Sequence, residues 1–421
     1  MEGVDMRVAV AFWLFGLINN LFYVVLLSAA LDLVGPLIPK ATVLLSSIIP
    51  GLLTKLIVPH ILYLIPYSAR IIVLATLSTS GMLVVALSSS TNISAKLAGI
   101  VLANISSGAG EVNFLALTHF YSDESLAGWS SGTGGAGLLG AGIYALATTA
   151  LGFSVRSTLL ASAVVPLGMV ASYFLLLPLG PLIDAKRTGA AYENVPRDGD
   201  EGESTLDDSR TGLLEDEDDD HHVSSAFATK PRPNLLATLH TNFRRTLPML
   251  RPYMLPLFLV YTAEYTLNQG VLPTVLFPLE GTPFNEYRAF YPTYSFIYQA
   301  GVFVSRSSLP FLRIRQLYTP AMLQVANLAL LTTQALTPFI PTVWIVFGIV
   351  FWEGLLGGLV YVSTYAAVRE EVPEEEREFS LGAVTVSDSA GIFVAGLLGA
   401  VMESQLCSWQ VGHGVDWCRR L

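Results

Sequence analysis

Six ionisable residues stand inside long apolar stretches of this 421-residue chain: Lys55, Glu111, Glu264, Arg306, Glu353 and Asp388. A charge near the centre of a bilayer costs at least ~2.5–3.5 kcal/mol on insertion scales, so such residues face a bundle interior or a wet cavity. Carboxyls held there can pick up protons or meet cations. A lysine or arginine can neutralise them or receive an anionic group. Their spacing draws lines along helices. Asn104, Glu111 and Thr118 are seven apart, nearly two turns, and share one face. Glu264 and Asn268 are four apart, with Tyr261 and Tyr265 repeating that step beside them. Glu353, Gly357 and Tyr361 make a third line, flanked by Gly354 and Gly358. Asn19, Asn20 and Tyr23 polarise a fourth segment. Such stripes are expected to line a central cavity. The plainer reading is that a buried glutamate pairs with Lys55 or Arg306 and locks the bundle. Three glutamates spread over both parts of the chain favour a substrate or proton pathway.

Other motifs carry less. Gly132-Thr133-Gly134-Gly135-Ala136-Gly137 fits G-x-G-x-x-G, but no strand precedes it and an apolar helix follows. Small residues that let membrane helices approach closely are the better reading. There is no Gly-Lys-Ser/Thr phosphate loop, and the only close histidine pair is His221-His222 in an acidic run. No nucleophile–base arrangement is recognisable. The expectation is therefore no catalytic residue, no metal and no cofactor. Leu213-Leu214 resembles a dileucine sorting signal, with Ser209 where an acidic residue usually stands. The terminal Cys418-Arg419-Arg420-Leu421 has the spacing of a prenylation box but arginines at its aliphatic positions, which argues against lipidation.

These residues are carried by an unusually apolar chain. Hydrophobic residues make up 52% and charged ones 13%, with a mean hydropathy of +0.55; soluble proteins have about 25% charged residues. The net charge of -10 is concentrated in one place: Glu193 to Asp220 holds 13 acidic residues against Arg197 and Arg210. The remainder is nearly neutral, with no basic face for nucleic acid. A hydrocarbon core of ~30 Å needs about 20 helical residues. Eleven stretches satisfy this, with soft boundaries: 8–31, 41–64, 71–88, 97–120, 132–153, 157–183, 253–279, 289–311, 317–337, 341–368 and 379–402. The second and eighth hold Lys55 and Arg306 and are the weakest. The first exceeds a signal-peptide core in length and carries Asn19, Asn20 and Asp32, so it reads as an uncleaved helix.

Lys and Arg in the loops set orientation. Arg7, Arg70, Lys186, Arg187, Arg244, Arg245 and Arg251 of the 185–252 loop, then Arg313, Arg315, Arg369 and Arg377, fall on one side. Lys40, Lys96, Arg156 and Arg288 fall on the other. The N-terminus is accordingly expected in the cytosol. Eleven spans put the tail in the lumen; a twelfth element near 403–418 would return it. Cys407 and Cys418 are either one bridge in an oxidising lumen or two free thiols. Asn92-Ile93-Ser94 is a glycosylation sequon on the lumenal side of this topology.

Residues 185–247, rich in Asp, Glu, Ser, Gly and Pro, cannot bury enough apolar surface to offset their ordering entropy and are expected to be a disordered cytosolic linker. They divide a six-helix half (1–184) from a five-helix half (248–403), with a tail at 404–421. The halves look related: Ala136-Gly137-Leu138-Leu139-Gly140-Ala141 recurs as Ala395-Gly396-Leu397-Leu398-Gly399-Ala400, each in the fifth span of its half. Two parallel repeats place a substrate site at their interface near the midplane.

The residues also carry a family resemblance. Phe12-Trp13-Leu14-Phe15-Gly16-Leu17-Ile18-Asn19-Asn20, Gly110-Glu111-Val112 and Trp129 to Gly140 resemble the battenin family, the Batten-disease protein and its fungal vacuolar relatives. So do Ala263-Glu264-Tyr265, Asn268-Gln269-Gly270, Tyr298 to Phe303 with Ser305-Arg306, Glu353 to Gly358, Arg377-Glu378-Phe379 and Ser387-Asp388. The resemblance implies an all-α, major-facilitator-like bundle of about 11 transmembrane helices in a vacuolar or lysosomal membrane. It further implies transport of basic amino acids such as arginine, vacuolar pH homeostasis and, from animal members, glycerophosphodiester export. In this reading Glu111, Glu264 and Glu353 meet protons or cations, Lys55 and Arg306 pair charges or take an anionic group, Asp388 belongs to the same pathway, and Asn19, Asn20, Asn268 and Gln299 orient solute. The partners are a small-molecule solute, protons, membrane lipid and sorting adaptors at the linker. The rival expectation is a non-transporting membrane adaptor for endosomal sorting and pH regulation.

Overall fold

The structure, a computed structural model, describes residues 2–29, 41–61, 65–89, 92–187 and 235–420. Helices, turns and loops account for all the described residues. In the first half they are α1 (Glu2–Ser28), α2 (Ala41–Ile61), α3 (Tyr67–Leu87), α4 (Ile93–Leu117), α5 (Asp123–Ala145), α6 (Val155–Leu176, with a turn at its middle) and the short α7 (Gly180–Arg187). The second half has α8 (Leu235–Met249), α9 (Leu255–Thr266), α10 (Phe290–Ser307), α11 (Tyr318–Leu336), α12 (Val343–Glu371) and α13 (Glu374–Gly412). Six helical segments are long and apolar enough to cross a bilayer by themselves, and Leu45–Ile61 is a shorter apolar one. The others are glycine-rich (α5), interrupted by π turns at Leu250–Met254 and Leu267–Val271 (around α9), or more polar (α10, α11). Helices stand at all eleven expected places, including those that hold Lys55 and Arg306.

Local chemistry fixes the helix starts. The Asn92 side chain accepts from Ala95 N at 3.1 Å and caps α4. Asp123 and Glu124 open α5, and Glu374, Glu375 and Glu376 open α13 behind Pro373, where acidic groups meet the positive end of the helix dipole.

The repeat is visible in the seams. A Cβ on Gly132 of α5 would collide with the Trp13 carbonyl of α1, and one on Gly391 of α13 with the Phe258 carbonyl of α9, at 2.8 Å. Gly108 of α4 meets Gly51 of α2, as Gly354 of α12 meets Gly301 of α10. First packs on fifth and second on fourth in both halves. The G-x-G-x-x-G run is thus a helix-packing surface, since its backbone approach leaves no room for a side chain. The halves meet where α5 touches α10 and where α13 touches α2 and α4.

Three boundaries differ from the sequence expectation. Helices Gly180–Arg187 and Leu235–Met249 extend into both ends of the stretch assigned to the linker, the first packing Leu182 on the hydrophobic core and the second pairing Arg245 with Glu376; residues 188–234, including His221-His222 and Leu213-Leu214, lie outside the described residues. The last helix runs on to Gly412, well into the supposed tail, and ends in a short turn at Trp417–Arg420. Cys407 and Cys418 are bridged there, resolving the two alternatives in favour of the disulfide. Gln410 Nε2 donates to the Thr274 and Ala335 carbonyls at 2.9 and 2.8 Å, so this extension braces the ends of the seventh and ninth spans on the face opposite the N-terminus.

The seam makes a direct stability prediction. Gly132→Ala should destabilise the protein by about 1–3 kcal/mol through overpacking. Gly142→Ala, whose Cβ meets nothing within 4 Å, should be neutral or slightly stabilising, as Ala is in an open helix position. Thermal melting of the two purified variants in detergent checks this; equal melting temperatures would contradict the seam.

Candidate functional site

At the interface of the halves lies a cavity of about 140 Å³. Its wall is drawn from α1, α2, α4, α5, α9, α10, α12 and α13, so both halves contribute. Lys55 Nζ of α2 stands 2.6 Å from Glu111 Oε2 of α4 and 2.8 Å from Asp388 Oδ1 of α13. Lys55 and Asp388 are 4% and 3% exposed. One cation between two carboxylates leaves an excess negative charge when both are ionised. The group extends further: Trp129 Nε1 donates to the Tyr361 hydroxyl at 3.0 Å, and that hydroxyl donates to Glu111 Oε1 at 3.4 Å. Ser389 Oγ donates to Asp388 Oδ1 at 3.0 Å.

Arg306 is a different kind of cation. Nη1 donates to Thr133 Oγ1 at 2.7 Å and Nη2 to the Tyr261 hydroxyl at 2.8 Å. Its guanidinium carbon lies 4.1 Å from the Tyr361 ring centroid, a cation–π contact. Among the described residues no carboxylate pairs with it, and its Nε has no partner. The cavity thus has two poles, an acid-rich one at Lys55–Glu111–Asp388 and a cationic one at Arg306. Tyr361 touches both.

The structure sorts the expected site residues into two groups. Lys55, Glu111, Asn20, Gln299, Arg306 and Asp388 line the cavity. Asn19, Glu264, Asn268 and Glu353 do not, which corrects the expectation that all the polar stripes share one space. Asn19 is buried in the α1–α4 seam: its Nδ2 donates to Ser107 O, and Ser107 Oγ returns a bond to Asn19 O, both at 3.0 Å. Glu264 and Glu353 lie behind the wall within the second half, where Tyr298 donates to Glu264 and Asn268 Nδ2 donates to Glu353 Oε1 at 2.8 Å. Helical spacing identified the polar faces but not the helices that would cover them. Gln299 reaches the cavity because Gly137 leaves room for its carboxamide. Asn92 is exposed at the start of α4. The sequence reading missed Tyr298, Thr133 and Ser389 as cavity residues; hydroxyls in a membrane helix give little signal until a charge is placed beside them.

It also missed the layer that closes the N-terminal face. Arg369 at the end of α12 donates to the carbonyls of Thr118 and Tyr121 at 2.9 and 2.8 Å and to Ser125 Oγ at 3.0 Å. Arg313 bridges Asp123 at 3.1 Å and Glu370 at 2.6 Å. The Tyr67 hydroxyl donates to Glu378 Oε1 at 2.5 Å. These bonds tie the end of α4 and the starts of α5 and α3 to the second half, beneath the cavity floor. In the sequence the same arginines served only as markers of sidedness.

Removing one member of a buried ion pair strands the other and costs about 3–5 kcal/mol. Lys55→Met should therefore lower the melting temperature sharply, and adding Glu111→Gln and Asp388→Asn should recover part of it. A Lys55→Met protein that melts like the wild type would show that the triad does not hold the halves together.

The family model described as CLN3 protein matches residues 10–409. Protein btn1 of Aspergillus fumigatus is 54% identical over 100% of this chain and 92% of its own length. Protein btn-1 of Neurospora crassa is 52% identical over 100% and 93%, and BTN1 of Yarrowia lipolytica 48% over 97% and 96%. Among solved structures, the proton:xylose symporter XylE of the major facilitator superfamily, bound to 6-bromo-6-deoxy-D-glucose, aligns with a TM-score of 0.58 at 10% identity, covering 99% of this chain and 92% of that one. The human organic anion transporter MFSD10 aligns at 0.57 and 14%, covering 98% and 96%. At such low identity the likeness establishes the fold, a major-facilitator-like helical bundle. A family match across nearly the whole chain, with full-length relatives about half identical, places this membrane protein in the CLN3, or battenin, family.

Proposed function

We propose that the protein is a transporter of the vacuolar, lysosome-equivalent membrane that moves small charged solutes by alternating access and so contributes to vacuolar pH homeostasis. The observation that carries this reading is the two-poled cavity between the half-bundles. A solute with a cationic end toward Glu111 and Asp388 and an anionic end on Arg306 would satisfy both poles, and buried charges of either sign need such partners. Basic amino acids such as arginine have both ends. Glycerophosphodiesters offer a phosphate for Arg306. Asn20 and Gln299 stand in the same wall and orient the solute by hydrogen bonds.

With the N-terminus in the cytosol, the Arg369 and Arg313 layer seals the cytosolic side, and the disulfide and Asn92 face the lumen. This orientation accords with the loop arginines and with a disulfide, which persists in an oxidising compartment. Endoglycosidase should then increase the electrophoretic mobility of protein taken from vacuolar membranes, and Asn92→Gln should abolish that shift. A protein whose mobility endoglycosidase leaves unchanged would remove this support.

The decisive measurement is uptake by purified protein in liposomes, comparing labelled arginine with labelled glycerophosphodiesters across an imposed pH gradient. Wild-type protein should carry at least one of them. Arg306→Gln should reduce that flux about tenfold or more, the equivalent of ~1.4 kcal/mol or more of lost binding. No flux of any tested solute would overturn the transporter reading in favour of an adaptor whose 185–247 linker recruits sorting partners.

A further inference from the structure

Glu264 and Glu353 have no part in the solute cavity, yet they are enclosed more completely than any charge within it, at 2% and 0% exposure. They are neighbours on α9 and α12. Asn268 Nδ2 lies 3.0 Å from the Glu264 carbonyl and 2.8 Å from Glu353 Oε1, so one side chain holds the two in register. No described residue forms an ion pair with either. On each, Oε2 has no hydrogen-bond partner. The groups that face them are Tyr261, Tyr265 and Asn268 from the seventh span, Tyr298 and Arg306 from α10, and Gln324 from α11. Asp388 of α13 lies near Tyr261 but is committed to Lys55. Gln324 is fully buried, and its Nε2 is also without a partner. The one cation in the group, Arg306, is held by neutral oxygens instead.

Two ionised carboxylates cannot rest in such a place, because each would keep a desolvation penalty of several kcal/mol that neutral donors such as Tyr298 and Asn268, with no ion-pair partner, do not offset. A proton removes that penalty on each carboxyl it neutralises. A route for it exists: Tyr298 lines the cavity, and its hydroxyl donates to Glu264 Oε1. A proton arriving from cavity water can bond to the Tyr298 oxygen as the hydroxyl's own proton passes to Oε1, and the reverse transfer returns it.

We infer that Glu264 and Glu353 form a proton-holding pair, walled off from the solute cavity and joined to it through Tyr298, whose loading couples proton movement to solute movement. The inference rests on the reading of the cavity as a solute site. Its physical link is Arg306. With Glu264 ionised, the guanidinium has a nearby negative charge in its field. With Glu264 protonated that compensation is gone, and an anionic group of the solute takes its place. Proton and anion therefore load together.

The test uses the full chain in liposomes with labelled arginine and a labelled glycerophosphodiester, and separates exchange from accumulation. Glu264→Gln and Glu353→Gln mimic the protonated forms. Both should retain solute exchange at equal pH within about twofold of wild type, while uptake driven by a pH gradient falls at least tenfold. A pH dye inside wild-type vesicles should report proton entry when solute is added outside, a readout that does not depend on how the variants fold. Wild-type exchange with no solute-linked proton entry would overturn this inference and leave the transporter reading intact. Variants that keep gradient-driven uptake, or that are folded by their melting curves yet lose exchange as well, would also overturn it. A wild-type protein with no exchange at all would overturn both readings.

Discussion

Everything in the interior of this protein is arranged around the cost of holding charge away from water. Lys55 is affordable at membrane depth only because Glu111 and Asp388 approach within hydrogen-bonding distance from two other helices. That requirement fixes three helices at once. The second and fourth spans come from one half and the eleventh from the other, so the ion triad is also the joint between the halves. Its carboxylates then hold the next layer: Glu111 orients the Tyr361 hydroxyl, Tyr361 receives Trp129, and its ring supports Arg306. A local electrostatic need thus becomes the architecture of the cavity wall.

The glycine seams supply the complementary freedom. Within each half, first-to-fifth and second-to-fourth spans touch backbone to backbone, and such contacts behave as rigid units because nothing in them can yield. Between the halves the contacts are of another kind. Around the buried Lys55–Asp388 joint they include partly exposed hydrogen bonds and ion pairs such as Arg369 to the Thr118 carbonyl, Arg313 to Asp123, and Ser131 to Ser307 at 2.9 Å. Partly exposed polar contacts can exchange for water at modest net cost. Rigid halves joined in part by exchangeable bonds suit the alternating access proposed above.

The parts of the molecule that were legible in its sequence are those governed by local rules. Hydropathy over about 20 residues placed the helices, and the repeated Ala-Gly-Leu-Leu-Gly-Ala run pointed to two related halves. The six costly charges were found the same way. Their grouping was not legible. Lys55 and Asp388 are separated by 333 positions, and no spacing rule reaches that far. Glu264 and Glu111 looked equivalent, each on a polar stripe with an asparagine and a hydroxyl side chain, yet one is covered by neighbouring helices and the other faces the cavity. Which side of a helix is polar is a property of that helix. What lies against it belongs to the whole fold. The same limit applied at the linker edges, where α8 owes its order to contact with α13 through Arg245, 2.6 Å from Glu376 and 4.4 Å over Phe379.

The division of charge between the halves bears on mechanism more directly than the total. In the cavity the first half contributes Lys55 and Glu111 and the second Asp388 and Arg306, so each half is close to neutral and neither repels the other. Glu264 and Glu353 break that balance, and both lie on one side. A change in their charge alters the field within a single half without touching the triad that joins the two. It reaches the interface through Tyr261, Tyr265, Tyr298 and Arg306, which stand in the cavity wall where a solute would rest. An occupant on Arg306 and a proton on Glu264 therefore act on the same few groups from opposite sides. Coupling between two sites requires only such a shared element with unequal preference for each state, and here the shared element is one arginine held by neutral oxygens.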